Sequence, residues 1–143
     1  MGSQSRFDYT AMGDTVNLAS RLEGACKFYH LPIIIGEEAA ERVKANIICR
    51  EVDLIQVVGK KRPVHIFEII GEKGKVDSRV LAKIAAFEEA LEAYRKGEWA
   101  RALSLFSSIE DDALARIYIE RCQQFKESGP PEGWAGIYQL KEK

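Results

Sequence analysis

The sequence is poor in everything that marks a disulfide-stapled, metal-clustered or membrane-spanning chain. Only three cysteines occur in 143 residues (Cys26, Cys49, Cys122), far apart and without a CxxC pair. So odd and scattered a set excludes a disulfide framework and argues against a zinc site; reduced, buried thiols in a cytoplasmic protein are the expectation. Net charge is nearly absent. The 21 Lys+Arg stand against 22 Asp+Glu, a formal charge of −1, and both signs divide evenly along the chain, so neither half is a charged tail. That balance excludes nucleic acid as a bulk electrostatic partner. No apolar run approaches the roughly 20 residues that a membrane-crossing helix needs. The opening Met1-Gly2-Ser3-Gln4 lacks the basic and apolar regions of a secretory signal, and residues 1–5 read as an expression leader or a cut inside a longer protein. What is present is ordinary for a folded chain: 46% apolar and 30% charged residues, enough for one domain or two small ones.

Two grammars follow one another. Over residues 6–70, strand-like and helix-like patterns alternate. Arg6 to Thr10 reads as a short strand leading into a Gly13-Asp14-Thr15 turn, and a helix follows, capped by Asp14 or Thr15. Its apolar stripe, Leu18, Leu22, Ala25 and Tyr29, has helical period. Pro32 to Ile35 is a β-branched burst that predicts a buried strand, and 37–46 suits a short amphipathic helix. Residues 48–58 and 64–70 predict an antiparallel strand pair joined by the polar turn Gly59 to Pro63. The glycine-bearing, aperiodic stretch 71–78 reads as a linker. From Arg79 the pattern is helical, with one stripe of Ile84, Phe87, Leu91 and Tyr94, a second of Trp99, Ala102, Leu103 and Phe106, and a third of Leu114, Ile117, Arg121 and Phe125. Gly129-Pro130-Pro131 stops the last helix.

Ala90, Tyr94, Gly97, Trp99, Ala102 and Phe106 match the small-and-large pattern of a tetratricopeptide unit, so this part resembles one such repeat and a following helix. That is fewer than the three or so repeats of a free-standing solenoid. A helical appendage packed on the first domain or on a protein partner is therefore favoured over a peptide-binding groove.

Chemistry concentrates in Phe7-Asp8-Tyr9-Thr10-Ala11-Met12-Gly13-Asp14-Thr15-Val16-Asn17-Leu18-Ala19-Ser20-Arg21-Leu22-Glu23. Asn17 and Arg21, four residues apart, project from one helix face beside the apolar stripe. An amide that donates and accepts, next to a five-donor cation, suits an oxygen-rich anion such as a phosphate, although the pair alone is what any solvated helix face carries.

The whole string resembles the class III nucleotidyl cyclases, in which a strand and a tyrosine-containing turn precede G-D-x-V-N-x-A-x-R-L-E on a helix. Further matches follow in order at Pro32 to Ile35, Glu37-Glu38-Ala39, Arg50-Glu51-Val52, Val58-Gly59-Lys60 and Pro63 to Glu68. The resemblance covers 6–70. Tyr118-Ile119-Glu120-Arg121-Cys122 and Pro130-Pro131-Glu132-Gly133-Trp134 more loosely resemble tails of bacterial cyclases that carry an extracytoplasmic sensor and membrane helices. The implied fold is α+β: a truncated ferredoxin-like cyclase domain over 6–70 and a small all-α helical-hairpin tail over 79–143.

The resemblance implies cyclisation of ATP to cyclic AMP and pyrophosphate. Asn17 would orient the ribose and its attacking 3′-oxygen, and Arg21 would stabilise phosphoryl charge in the transition state. Thr10 falls where the family reads the purine and favours adenine. Val58 stands where the family often has a triphosphate-reaching lysine; Lys60, with Lys61 and Arg62 nearby, is the candidate replacement, unless these cations merely decorate an exposed turn. Two Mg²⁺ or Mn²⁺ ions are implied, held by aspartates of an upstream half. No acidic pair here stands in a matching context, since Asp111-Asp112 reads as a helix N-cap. The chain is thus expected to bind no catalytic metal and to be inactive alone. Family sites form head to tail between two domains, which implies a homodimer with the active site at its interface and a parent anchored in the bacterial inner membrane. The truncated sheet would expose an edge, favouring dimerisation, strand exchange or poor solubility. The rivals are a guanylate cyclase and a non-catalytic cyclase-like interaction module.

Overall fold

Strand-period and helix-period segments separate into a four-stranded sheet and a helical layer, a mixed α+β arrangement; the structure, a computed structural model, describes residue 22 and residues 24–57 and 62–140. Leu22 and residues 24–29 are helical (α1). The Ile-rich burst becomes β1 (Ile34–Gly36), and α2 (Glu37–Val43) follows at once, with Glu37 and Glu38 at the positive end of the helix dipole. β2 (Ile47–Val57) and β3 (Val64–Glu72) form the expected antiparallel pair. The strand expected over 6–10, the turn after it and residues 58–61 lie outside the described residues.

β3 lies between β1 and β2 and is antiparallel to both. Its pairing with β2 slips once in a way that matters. Glu51 opposes Phe67 and Asp53 opposes Ile66, so Val52 is an extra residue, a β-bulge. A bulge resets the alternation of side chains, and Arg50 and Asp53 therefore both turn to the helical layer.

That layer is built from α3 (Ser78–Arg95), α4 (Trp99–Ser107) and α5 (Ala113–Ser128). Asp77 starts α3, its carboxylate accepting from Arg79 N–H at 2.8 Å. Gly97, at φ 79°, makes the tight turn into α4 that a side chain would strain. The predicted stripes face inward: Ile84, Phe87, Leu91, Tyr94, Ala102, Phe106, Leu114, Arg121 and Phe125 are buried. Their rings interlock, Phe87 meeting Phe106 edge-on at 5.4 Å between centroids while Phe106 stacks on Tyr118 at 4.9 Å. Gly129, at φ 84°, ends α5 just before the two prolines.

The appendage is not all helical, which corrects the expectation of an all-α tail. After the proline stop the chain returns to the sheet, and β4 (Tyr138–Leu140) pairs in parallel with Ile55 to Val57 at the outer side of β2. A three-residue strand is too short to carry a readable alternation, and its formation depends on the β2 edge being there to pair with. The three cysteines are free thiols; only Cys122 is buried, Cys26 and Cys49 being half-exposed. Among the described residues, no helix is long and apolar enough to cross a membrane.

Because Phe106 is fully buried between Phe87 and Tyr118, Phe106→Ala is expected to cost about 3–5 kcal/mol in urea unfolding. Leu81→Ala, at a side chain 43% exposed, is expected to cost under about 1 kcal/mol. Equal losses would show that the aromatic stack is not the core.

Candidate functional site

Four consecutive residues of β2 are gripped by the helical layer. Arg50 Nη1 and Nη2 donate to the two carboxylate oxygens of Asp112 at 2.6 and 3.2 Å. Its Nε and Nη2 also reach Glu68 Oε2 at 2.9 and 2.6 Å, and the guanidinium lies over the Phe87 ring. Burial opposes the Arg50 charge, but Asp112 and Glu68 outweigh it and hold the pKa above the ordinary arginine value. Asp112 does take the N-cap position of α5, yet its side chain makes no capping bond and is spent on Arg50 instead.

Glu51 accepts from Arg95 Nη2 at 2.8 Å and from His65 Nδ1; the carboxylate is acceptor-only, so that ring nitrogen carries the proton. Burial alone would raise the Glu51 pKa, but these hydrogen bonds hold it below the ordinary 4.5. Beside it opens a cleft of about 380 Å³ lined by Glu51, Glu88, Leu91, Glu92, Arg95 and Lys96. The bulge leaves the Val52 carbonyl free of the ladder, and Tyr118 OH donates to it at 2.6 Å.

Asp53 makes the fourth grip. It is fully buried and accepts from Tyr29 OH at 2.6 Å and from Arg121 Nη1 at 2.7 Å. Arg121 also donates to Tyr29 OH at 3.2 Å and Tyr94 OH at 3.3 Å, and its carbon sits 3.5 Å from the centroid of the Tyr138 ring. Burial opposes the Arg121 charge, but Asp53 and the surrounding phenols hold its pKa well above the ordinary value. Burial, with the Asp53 charge, pushes the Tyr29, Tyr94 and Tyr118 phenols up. They stay neutral across the physiological range, so the cluster holds position rather than moving protons. Burial also lifts the neighbouring Cys122 thiol to about 11, away from nucleophilic use.

Thr10, Asn17, Arg21 and Lys60 all lie outside the described residues. What the structure describes of the helix expected to carry Asn17 and Arg21 is its last part, α1, tied to β2 and α5 through Tyr29. Sequence reasoning put Tyr29 and Arg121 in apolar stripes and passed over Asp53. The missed signal was an aspartate inside the apolar run Val52-Asp53-Leu54-Ile55, matched by an arginine inside a helical stripe: a buried charge requires a partner. Among the described residues, no group of three or more His, Cys, Asp or Glu side chains could hold a metal ion.

The chain is related in sequence to proteins named adenylate cyclases. It is 36% identical over 134 residues to "Adenylate cyclase, terminal-differentiation specific" of Dictyostelium discoideum, a match covering 87% of this chain and 6% of that protein. At that coverage the match crosses from the sheet into the helical layer. "Adenylate cyclase 1" of Rhizobium meliloti (strain 1021) is 35% identical over 71 residues, 50% of this chain and 11% of that protein. "Adenylate cyclase" of Anabaena cylindrica is 38% identical over 72 residues, 48% of this chain and 14% of that protein. The chain thus spans between 6% and 14% of the length of these relatives. No family model matches it. No solved structure matches it.

The Glu51 grip gives the fold an acid dependence of definite sign. The folded carboxyl titrates below 4.5, so between the folded and unfolded pKa values the unfolded chain binds more protons and stability rises with pH. Its contribution is complete above the unfolded value and is lost as the pH falls through the folded one. Urea unfolding of Glu51→Gln is expected to show a shallower loss of stability between about pH 5 and pH 3 than the unsubstituted chain; parallel curves would remove Glu51 from the account.

Proposed function

We propose that this chain is the C-terminal portion of an adenylate cyclase of the class III type, acting in intracellular signalling. The observation that carries the reading is the likeness to three proteins named adenylate cyclases, together with the ordered string from Phe7 to Glu23. In the proposed reaction the ribose 3′-oxygen of ATP attacks the α-phosphorus. The bond to the β-phosphate breaks, and cyclic AMP and pyrophosphate form with loss of the hydroxyl proton.

The roles proposed for this chain are positional and electrostatic. Asn17 orients the ribose and attacking oxygen, and Arg21 meets charge growing on the phosphoryl oxygens. Thr10 accepts from the adenine amino group, and Lys60 reaches the triphosphate in place of a lysine at Val58. No described residues fit the two Mg²⁺ or Mn²⁺ ions the reading implies; these would be held by aspartates outside the 143 residues and would supply Lewis-acid chemistry. Asn17 and Arg21 of one subunit complete the site of another in a homodimer, and the longer parent is anchored in the bacterial inner membrane. The chain alone, by this reading, turns over no ATP.

In the full-length parent with Mg²⁺ or Mn²⁺, Asn17→Ala and Arg21→Ala are each expected to lower cyclic AMP formation on the order of 10²-fold or more. The 143-residue chain alone is expected to form none. Unchanged rates in both variants would defeat the assignment. Cyclic GMP from GTP would move it to guanylate cyclase, and an inert parent would leave a non-catalytic interaction module.

A further inference from the structure

Five elements meet at one cation. Arg121 of α5 is bonded to Asp53 of β2, Tyr29 of α1 and Tyr94 of α3, and it lies against the ring of Tyr138 in β4. It is 4% exposed, and Asp53 and Tyr29 are not exposed at all. The Tyr29 hydroxyl is fully used, donating to Asp53 and accepting from Arg121. Its ring belongs to the same stripe as Leu18, Leu22 and Ala25, on the helix that the sequence assigns to Asn17 and Arg21. A helix is stiff over two or three turns, so where its end is anchored decides where side chains further along it stand.

We propose that Arg121 is a positioning residue of the cyclase site: through Tyr29 the docked helical layer fixes the orientation of the helix bearing Asn17 and Arg21, so cyclisation requires that layer in place. The proposal rests on the cyclase reading for its effect on rate, while the coupling of Arg121 to α1 stands on the contacts alone. A buried ion pair is a weak source of net stability but a strict geometric constraint, because either charge left alone in the core is strongly disfavoured. Misplacement of a reacting group by about 1 Å is enough to cost on the order of 10²-fold in rate.

Two substitutions separate position from bulk stability. Tyr29→Phe keeps the buried ring and the Asp53–Arg121 pair and removes only the hydroxyl; Arg121→Lys keeps the charge and loses the fork. Hydrogen exchange on the 143-residue chain is expected to quicken about tenfold for the amides of residues 24–29 in both variants, with α3 and α4 unchanged. In the full-length parent, kcat for cyclic AMP is expected to fall about tenfold or more while the KM for ATP stays within about twofold. Arg121→Met is expected to fall further than Arg121→Lys. Unchanged exchange in a folded Tyr29→Phe would overturn the coupling, and a loosened α1 with undiminished kcat would overturn the positioning role. If the unsubstituted parent makes no cyclic AMP, the cyclase reading fails and with it the positioning role, while the exchange arm still decides the link from Arg121 to α1.

Discussion

The ion pair between Asp53 and Arg121 is the constraint around which the rest is arranged. Taking two charges out of water is costly, and a single hydrogen bond does not repay it. Here the carboxylate also receives the Tyr29 phenol, and the guanidinium is bonded to Tyr94 and covered by the Tyr138 and Tyr118 rings. These groups come from α1, β2, α3, α5 and β4, so the pair is surrounded only when sheet and helices are brought together. Removing one partner would strand a buried charge at a cost of about 3–5 kcal/mol.

The same logic repeats along β2. Arg50 is held by Asp112, Glu51 by Arg95, and the Val52 carbonyl by Tyr118. A single β-strand facing a helical layer ordinarily offers apolar side chains at every second position; this one offers a cation, an anion, a bare carbonyl and another anion in succession. The aromatic core of the helical layer provides adhesion without fixing a register, whereas these polar grips accept one register alone. One relative named an adenylate cyclase matches across this seam, so sheet and appendage travel together in that longer protein.

Much of this fold was legible in the sequence because most of its elements obey local rules. The β-branched run at Ile33 to Ile35, the antiparallel pair of β2 and β3, the inward stripes of α3 and α4, Gly97 in its turn and the proline stop after α5 all follow from residue type and period. β4 does not, since three residues carry no period and their pairing is decided by a distant edge. Asp112 shows the limit at finer grain: its position at the helix start was readable, but its partner, Arg50, lies 62 residues away. The candidate nucleotide residues Thr10, Asn17 and Arg21 came from a motif, Lys60 from its nearness to the motif position that Val58 occupies, and all four lie outside the described residues. The buried network was hidden for the opposite reason. Asp53 and Arg121 each look like a local fault, and only the tertiary fold makes them complementary.

The bulge at Val52 has a consequence for how this protein tolerates change in chain length. Excising that one residue would join Glu51 to Asp53 in an unbroken antiparallel ladder, which by pairing alone is an improvement. It would leave Asp53 opposite Ile66 and on the same face as Arg50, since the two would then stand two residues apart and side chains alternate with a period of two. Arg121 would keep its partner, and the loss would fall on Tyr118, whose hydroxyl donates to the Val52 carbonyl, and on the fully buried Val52 side chain. An apparent irregularity in one strand is thus the place where an additional residue is absorbed without moving the two halves of the molecule out of phase.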